Sequence, residues 1–479
     1  MENDVHNPRF APPLLPPAYG ARFGEFIGIG ANGNLWVDNC DVEKLIETYG
    51  SPLFIISENQ LRQNYRAFRD AFANAYPDVE ILFANKSNNG LAIRHIMNQE
   101  GAGGDCFGAQ EMYMALLAGT DPATLVLNGS NKQDDELEMA IANGLCINID
   151  AEDELDRIAA IADRLGTIAN IGIRLKLDLE PLRDRMGVAM HGPGSLKHQS
   201  DSTKWGMTRE QTADIVRRAL AMPTVRLQET HFHLSRMSNE PADFAVMARE
   251  MITWSGYLRD TTGWTPPTID IGGGWTFGKW YGTGPNGQID GPDAPTPADY
   301  AQAVCDAIKD EAEKLGLPLP KLRLEPGRAL SGPAGVAVGR VGAVKRGAKT
   351  WVNLDLSTNH LSWAAVLDWY YHAVRVHDAG AEAHETVDLV GPLCNSDELG
   401  AHRPMPALAR GDLVAFLDAG GYTESAAARY NAQLLPATVL VSGSRHAVIT
   451  EREQLKDVAG RFRVPPHLLA ASFARPEAA

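Results

Sequence analysis

Short apolar runs alternate with amphipathic segments through the middle of the chain. Strand-like runs fall at 79–84, 102–106, 124–128, 146–149, 168–175, 225–231, 268–271 and 321–325. Helix-like segments at 91–99, 108–118, 133–143, 152–165, 208–220, 240–259 and 298–315 fill most of the gaps. Eight strand–helix units over about 280 residues predict an α/β fold, a (β/α)8 barrel, although an open doubly wound sheet would give the same alternation.

A strand-rich pattern follows residue 332. Runs at 335–345, 349–354, 385–390, 412–417 and 437–442 are separated by turn residues, which is typical of an all-β barrel-like or sandwich domain. A hairpin-like pattern at 26–37 is predicted to join this domain. The predicted organisation is therefore an extended proline-rich arm over 1–25, a β-domain from 26–52 and 333–479, and a barrel over 53–332.

Composition narrows the possible partners. The 479 residues include 44 Lys and Arg against 60 Asp and Glu, a net charge of −16 that argues against nucleic acid and anionic membranes. The five cysteines form no CxxC pair, so neither a disulfide framework nor a metal site is expected. With no signal-peptide pattern and no apolar run of about 18 residues, we expect a cytoplasmic protein.

Polar residues follow most of the predicted barrel strands at their C-terminal ends, where barrel enzymes carry their chemistry. A lysine there can form a Schiff base if it loses its proton, although most lysines after strands are solvated surface residues. The candidates are Lys86, Asp105, Arg174, His231, His233, Asp270, the run Gly272-Gly273-Gly274, Glu325 and Arg328.

Three of these candidates would suit a phosphorylated pyridine cofactor, and each also has a purely structural interpretation. The glycine run lets backbone N–H groups face a phosphate, but a tight turn would use the same residues. Glu325 can keep a pyridine nitrogen protonated, which makes the ring an electron sink, or can pair with Arg328 at the surface. His233 can stack on an aromatic ring, although a lone histidine is more often structural.

Seven short stretches, in order, resemble the fold-type III pyridoxal-phosphate-dependent decarboxylases, which include diaminopimelate, ornithine and arginine decarboxylases. The resemblance runs from about residue 26 to about residue 450. In that family the fold is a barrel plus a β-domain built from both chain ends. The stretches are 83–88, 105–111, 231–233, 270–274, 325–328, 391–394, and 421–422 leading to 430–431.

The resemblance implies a role for each matching residue. Lys86 would hold pyridoxal 5'-phosphate covalently, His233 would stack on its ring, and Glu325 would pair with its nitrogen. Cys394 would reach the site of the partner subunit in a homodimer and protonate the carbanion after carbon dioxide leaves. The other implied cofactor-binding or supporting residues are Asp105, Glu111, Arg174, Gly273, Gly274, Arg328 and Tyr422.

Four departures from the family pattern concern the phosphate and the substrate. Arg236, preceded by Ser235, stands where the family carries a phosphate-binding serine, and it would contact either the phosphate or a substrate carboxylate. Asn395 replaces an acidic residue that contacts the distal amino group. Trp363 stands where diaminopimelate decarboxylases carry an arginine for the far carboxylate, and Leu367 replaces a tyrosine. Asp355, a position that relatives use toward a distal ammonium, is present, as is Tyr430, predicted to contact substrate.

The departures predict a small-molecule substrate other than that of an ordinary diaminopimelate decarboxylase. We expect an amino-acid decarboxylase acting on a basic or diamino acid, and D-lysine or D-ornithine is the most specific substrate prediction. The alternatives are a diaminopimelate decarboxylase and an amino-acid racemase of the same fold, in which an arginine faces the pyridine nitrogen. A pyridoxal-phosphate carrier would lack the β-domain, and an inactive paralogue would not need Lys86, Glu325 and Cys394 together.

Overall fold

Eight parallel strands close into a barrel in the computed structural model, which describes residues 10–11, 26–177, 179, 182, 186–189, 192–195, 204–233, 240–275, 295–366 and 369–468. The closed order confirms the barrel and rules out the open sheet. The strands are Val79–Ala84, Gly103–Cys106, Leu125–Leu127, Cys146–Ile149, Ala169–Arg174, Val225–His231, Thr268–Asp270 and Lys321–Leu324.

The helices around the barrel each bury one apolar face. Leu155, Ile158, Ile161 and Ala162 recur at helical spacing on Glu154–Leu165 and are buried, and Gly166 ends that helix in the left-handed region. The predicted helices are confirmed to within three residues at their ends. The barrel-side helices are Glu58–Ala75, Leu91–Gln99, Ala109–Leu117, Asp134–Asn143, Glu154–Leu165, Arg209–Leu220, Pro241–Thr262 and Pro297–Leu315.

The second domain contains a nine-stranded mixed sheet. Its longest strand, Gly335–Arg346, pairs with three neighbours, Leu53–Ser57, Thr350–Leu354 and Leu413–Phe416. Five strands were predicted, whereas Glu398–Met405, which contains glycine and proline, was not. The remaining strands are Ala373–Arg375, Glu385–Val390, Ala437–Ser442 and Arg445–Thr450.

Both ends of the described chain contribute to the core of this second domain. The predicted N-terminal hairpin forms from Ile27–Gly30 and Leu35–Val37, and its apolar side chains pack with Val336 and Leu413. The hairpin belongs to a separate four-stranded sheet that also contains Phe10–Ala11 and Cys40–Asp41, and the helix Val42–Tyr49 follows this sheet. Most of the predicted arm at 1–25 lies outside the described residues.

One predicted boundary needs a correction. The strand Leu53–Ser57, which the sequence assigned to the barrel segment, pairs with Gly335–Arg346 and with Ala437–Ser442 and therefore belongs to the second sheet. Five apolar or small residues in a row carry no mark of which sheet they join. The helix Glu58–Ala75 begins directly after it, with Ser57 as its cap, so we propose that the barrel domain begins at Glu58.

The segments 176–207 and 282–297 follow barrel strands and are predicted to overhang the active-site mouth, and large parts of both lie outside the described residues. Within the first, Met186–Ala189 pairs with Gly192–Ser195 as an antiparallel hairpin. Over the part of the chain that the structure describes, every helix is too short or too polar to cross a membrane. The short α-helices Arg328–Ser331, Ser362–Val366 and Leu455–Ala459 are accompanied by several 3-10 turns, one of which, Asn85–Ser87, carries Lys86.

Candidate active site

Lys86 lies at the C-terminal end of the first barrel strand. The strand Val79–Ala84 passes into the 3-10 turn Asn85–Ser87, which directs the lysine toward the next strand. Its ammonium contacts the Asp105 carboxylate and lies 4.6 Å from the centroid of the Phe107 ring. Burial lowers the pKa of Lys86, but Asp105 and Glu325 outweigh burial and leave the pKa above its ordinary value. Without a cofactor bound, this lysine is therefore charged.

A loop of the second domain holds the turn that carries Lys86. Ser425 Oγ donates to the Lys86 carbonyl at 2.9 Å, and the Tyr422 amide donates to the Ser87 carbonyl at 2.6 Å. Asn88 Nδ2 donates in return to the Gly420 carbonyl at 3.0 Å. These bonds join the two domains at the lysine, so its backbone position depends on both.

Glu325 follows the last barrel strand and is buried among polar groups. Its Oε1 accepts a hydrogen bond from Asn128 at 2.8 Å, and its Oε2 lies 3.5 Å from His231 Nε2. Burial alone would raise the pKa of Glu325, but His231 and Lys86 hold it well below its ordinary value. A carboxylate that stays ionised can accept a hydrogen bond from a protonated ring nitrogen.

Asp270 lies beside Glu325 and His231. Burial and the neighbouring Glu325 carboxylate raise the pKa of Asp270 well above its ordinary value. Ligand atoms of His231, Asp270 and Glu325 lie within 4.8 Å of one another, a spacing that a metal ion could also use. The predicted absence of a metal therefore stays a prediction.

His233 faces the glycine run. The Gly273 amide donates to His233 Nδ1 at 2.9 Å, and burial lowers the pKa of His233 to about 3. The imidazole is therefore neutral and carries its proton on Nε2. Gly272 and Gly274 have φ of 68° and 101°, and a Cβ on Gly273 would lie 2.5 Å from the Glu325 carbonyl oxygen. The run thus brings backbone closer to Glu325 than a side chain permits.

Arg174 is buried at the end of the fifth strand. Its Nε lies 3.9 Å from Asp150, and its guanidinium lies 5.2 Å from the ring centroid of Trp205. Its Nη1 has no hydrogen-bond partner among the described residues. A buried donor left open in this way is available to an anionic ligand.

Arg328 points into an aromatic cluster of the second domain. Its guanidinium carbon lies 4.6 Å and 4.0 Å from the ring centroids of Trp363 and Trp369, and its Nη1 is 3.3 Å from Asp418. Trp363 stacks on Tyr422 with centroids 4.1 Å apart and an interplanar angle of 16°. Two predicted phosphate-binding residues, Arg328 and Tyr422, therefore both contact the indole of Trp363.

Cys394 lies in an exposed loop of the second domain. Its Sγ is 3.0 Å from Tyr430 Oη, and its amide donates to Asn431 Oδ1 at 3.1 Å. Hydrogen bonds from Tyr430 and Asn431 lower the pKa of the Cys394 thiol. Of the five cysteines, all of which the structure describes, Cys394 alone is exposed, and Asn395 beside it is exposed too.

The structure brings together most, but not all, of the sequence-predicted residues. Asp355 accepts the Arg340 amide at 2.7 Å, a backbone contact within the second domain. Glu111 accepts the Phe107 amide at 2.7 Å and so supports the ring under Lys86. Arg236 and Leu367 lie outside the described residues. The residues joined around Lys86 are Asp105, His231, His233, Asp270, Gly273 and Glu325.

Sequence reasoning missed Asn128, which contacts both Asp105 and Glu325 at 2.8 Å. It follows the third barrel strand, so the rule that chemistry lies at strand ends would have found it if applied to every strand. Asp418 and Trp369 were also missed, and their contacts with Arg328 have no local signal because about 90 and 40 residues separate them in the chain.

Comparison with known proteins gives one consistent result. A family model described as pyridoxal-dependent decarboxylase, pyridoxal binding domain, matches residues 58–332. The diaminopimelate decarboxylase of Methanothermobacter thermautotrophicus is 30% identical over 448 residues, covering 92% of this chain and 99% of the relative. That of Archaeoglobus fulgidus is 31% identical over 441 residues, covering 92% and 99%.

Solved structures agree with the sequence relatives. A diaminopimelate decarboxylase from M. jannaschii, in complex with L-lysine, superposes with a TM-score of 0.85 at 27% identity and covers 93% of this chain and 99% of its own. A lysine/ornithine decarboxylase from Vibrio vulnificus, in complex with putrescine, has a TM-score of 0.68 at 22% identity, covers 84% and 96%, and shares the fold.

Proposed function

The chain belongs to the pyridoxal-dependent decarboxylase family and is a carboxy-lyase that uses pyridoxal phosphate, and we propose that its substrate is a basic or diamino acid without a second carboxylate at its far end. The observation that carries this proposal is the packing of Trp363. D-Lysine and D-ornithine are the most specific candidates. The M. jannaschii diaminopimelate decarboxylase is in complex with L-lysine, a basic amino acid with one carboxylate.

Trp363 offers nothing that could bind a far carboxylate. Its indole is 8% exposed and lies between Tyr422 and Arg328. An indole has one N–H donor and no charge, whereas a guanidinium offers a fork of donors to a carboxylate. The neighbouring Arg328 contacts Asp418 through Nη1, and we propose that its other donors serve the cofactor phosphate rather than a substrate carboxylate. A substrate whose far end is an amine or is neutral avoids leaving a carboxylate without a partner.

The residues around Lys86 fit pyridoxal phosphate. Among the described residues, His231 Nδ1, Asp270 Oδ2 and Arg174 Nη1 are buried without a hydrogen-bond partner. Gly273 leaves room where a Cβ would collide with the Glu325 backbone. Lys86 would hold the cofactor, Glu325 would pair with the ring nitrogen, His233 would face the ring, and Gly273, Gly274, Arg328 and Tyr422 would hold the phosphate.

When bound, pyridoxal phosphate supplies an electron sink for the electron pair that remains when carbon dioxide leaves. The protein's own contribution is to control charge around that sink. Glu325 stays ionised, so it favours a protonated ring nitrogen, while neutral His233 adds no second positive charge. This arrangement favours decarboxylation over racemisation, which an arginine facing the ring nitrogen would favour.

Diaminopimelate decarboxylation is the second candidate function. The full-length similarity to two archaeal diaminopimelate decarboxylases favours it. The two candidates differ in one requirement, a cation at the far end of the pocket, so substrate selectivity separates them.

The test is carbon dioxide release from the purified holoenzyme with D- and L-lysine, D- and L-ornithine, D- and L-arginine, and meso-diaminopimelate. We expect turnover of a basic monocarboxylate and none of diaminopimelate. Lys86→Ala should lose both the cofactor absorbance and activity, and Lys349→Ala, a surface lysine paired with Asp388, is the matched control. Efficient turnover of diaminopimelate would refute the argument from Trp363.

We propose further that the enzyme is a homodimer in which Cys394 serves the site of the partner subunit. Its exposure, its lowered pKa and its contact with Tyr430 suit a group that donates a proton outside its own domain. Mixing inactive Lys86→Ala with inactive Cys394→Ala should restore about a quarter of the activity, because random exchange leaves one intact site in half of the dimers. An absence of recovery after verified subunit exchange would contradict a shared site.

A further inference from the structure

Asn128 connects the two carboxylates on which the active site depends. It follows the strand Leu125–Leu127, and its side chain is buried. One hydrogen of its Nδ2 is directed to Asp105 Oδ1 and the other to Glu325 Oε1, both at 2.8 Å. A single amide group therefore serves the partner of Lys86 and the carboxylate that would pair with the ring nitrogen.

A second amide fixes the orientation of the first. Asn148, from the adjacent strand Cys146–Ile149, donates through its Nδ2 to Asn128 Oδ1 at 3.0 Å. If the Asn128 amide were turned over, its oxygen would face two carboxylates and its NH2 group would face another NH2 group. Only one orientation satisfies these four groups, so the donors toward Asp105 and Glu325 are held in place.

The two carboxylates need such a donor because both are buried and close enough to repel each other. Burial and then the Glu325 charge raise the pKa of Asp105. The other oxygen of each carboxylate faces a basic group, Lys86 on Asp105 and His231 on Glu325. The five side chains form one continuous row with Asn128 at its centre.

We propose that Asn128 is a positioning residue that keeps both carboxylates as hydrogen-bond acceptors and couples the charge at the Lys86 nitrogen to the charge at the ring nitrogen. The inference rests on the pyridoxal-phosphate chemistry of the proposed function. It does not depend on which amino acid is decarboxylated, because its test uses no substrate.

The test is a pH titration of the visible absorbance of the holoenzyme for wild type, Asn128→Ala and Asn128→Asp. Removing two N–H groups makes the potential around the Lys86 nitrogen more negative, so its proton is held more tightly. We expect the apparent pKa of the absorbance change to rise by about one unit in Asn128→Ala, equivalent to one charged hydrogen bond. It should rise further in Asn128→Asp, which adds a carboxylate.

A matched control comes from the other end of the barrel. Asn170 donates to the Gly144 carbonyl at 3.1 Å near the N-terminal end of its strand. Asn170→Ala should titrate as wild type does. An unchanged or lowered apparent pKa in both Asn128 variants would overturn the proposal, as would an equal rise in Asn170→Ala.

Two further measurements keep the proposal falsifiable. If Asn128→Ala does not fold, Asn128→Ser, which can donate one hydrogen, should show a smaller rise. If the wild-type absorbance does not change between about pH 5 and about pH 10, dissociation of pyridoxal phosphate is the readout. Asn128→Ala should then bind the cofactor about tenfold more weakly than wild type and Asn170→Ala, and equal affinities would refute the coupling.

Discussion

The indole of Trp363 is buried in the core of the second domain, beside the two proposed phosphate-binding residues Tyr422 and Arg328, so its removal has a predictable cost. It stacks on Tyr422, meets Trp369 edge to face with centroids 5.7 Å apart, and lies under the Arg328 guanidinium. The perturbation is Trp363→Ala, which removes the stacking partner of Tyr422 and one of the two rings facing Arg328. Trp363→Phe keeps an aromatic face and is the milder variant.

The magnitude follows from burial. A tryptophan buries about 150–250 Å², which at about 25 cal/mol per Å² corresponds to about 4–6 kcal/mol. Truncations of buried tryptophan to alanine cost about 3–5 kcal/mol, a range that already includes the lost ring contacts. We therefore expect Trp363→Ala to lower the free energy of unfolding by about 3–5 kcal/mol, and Trp363→Phe by about 1–2 kcal/mol.

The assay is urea denaturation of the apoenzyme, followed by circular dichroism, together with titration of pyridoxal phosphate into each folded variant. Trp351, which is 37% exposed on the strand Thr350–Leu354, provides the control, because Trp351→Ala should cost no more than about 1–2 kcal/mol. Cofactor affinity should fall only in the Trp363 variants, since Tyr422 and Arg328 lose their common neighbour. Equal stability losses for Trp363→Ala and Trp351→Ala would refute this account of the cluster.

Two further variants test the geometry and the electrostatics of the site. Gly273→Ala places a Cβ 2.5 Å from the Glu325 carbonyl oxygen, so it should lower stability by about 1–3 kcal/mol and weaken cofactor binding. Gly347→Ala, where a Cβ would have nothing within 4 Å, is the control and should change neither property. Thermal unfolding and cofactor titration measure the two effects. Burial raises the pKa of Glu111 to about 7. Protonated Glu111 contributes its full stabilisation below about pH 4.3, the pKa of glutamate in the unfolded chain. This stabilisation is lost as the pH rises through about 7. Glu111→Gln should therefore gain in melting temperature over wild type between pH 5 and pH 8, and a constant difference across that range would contradict the raised pKa.

The regular part of the fold was predictable because several barrel strands are short apolar runs and the helices between them have a buried face. Cys146–Ile149 is buried throughout, and the neighbouring Glu154–Leu165 shows helical spacing of buried residues. The second domain was harder to predict. Glu398–Met405 contains glycine and proline, and its strand character comes from pairing with Glu385–Val390 rather than from its own composition.

The barrel half of the site was also predictable, because strand ends converge in a closed barrel. Lys86 and Glu325 follow strands, Asp105 lies near the end of one, and the three meet as that rule requires. The contacts of Arg328 could not be predicted in this way. Its partners Trp369 and Asp418 come from the second sheet, and only the tertiary packing of the two domains brings them to the end of the eighth strand.

This division between the domains bears on how substrate choice can change while the chemistry stays the same. The groups that control charge at the lysine and at the ring nitrogen, Lys86 and Glu325, belong to the barrel. The groups proposed to meet the far end of the substrate, Trp363 and Asn395, belong to the second domain, which touches the barrel site through the Tyr422 loop. Exchanging a cation for an indole in that domain leaves the Lys86–Asp105 contact and the Asn128 bonds intact. A family member can therefore keep decarboxylation and lose the grip on a second carboxylate, which is the combination that we propose for this enzyme.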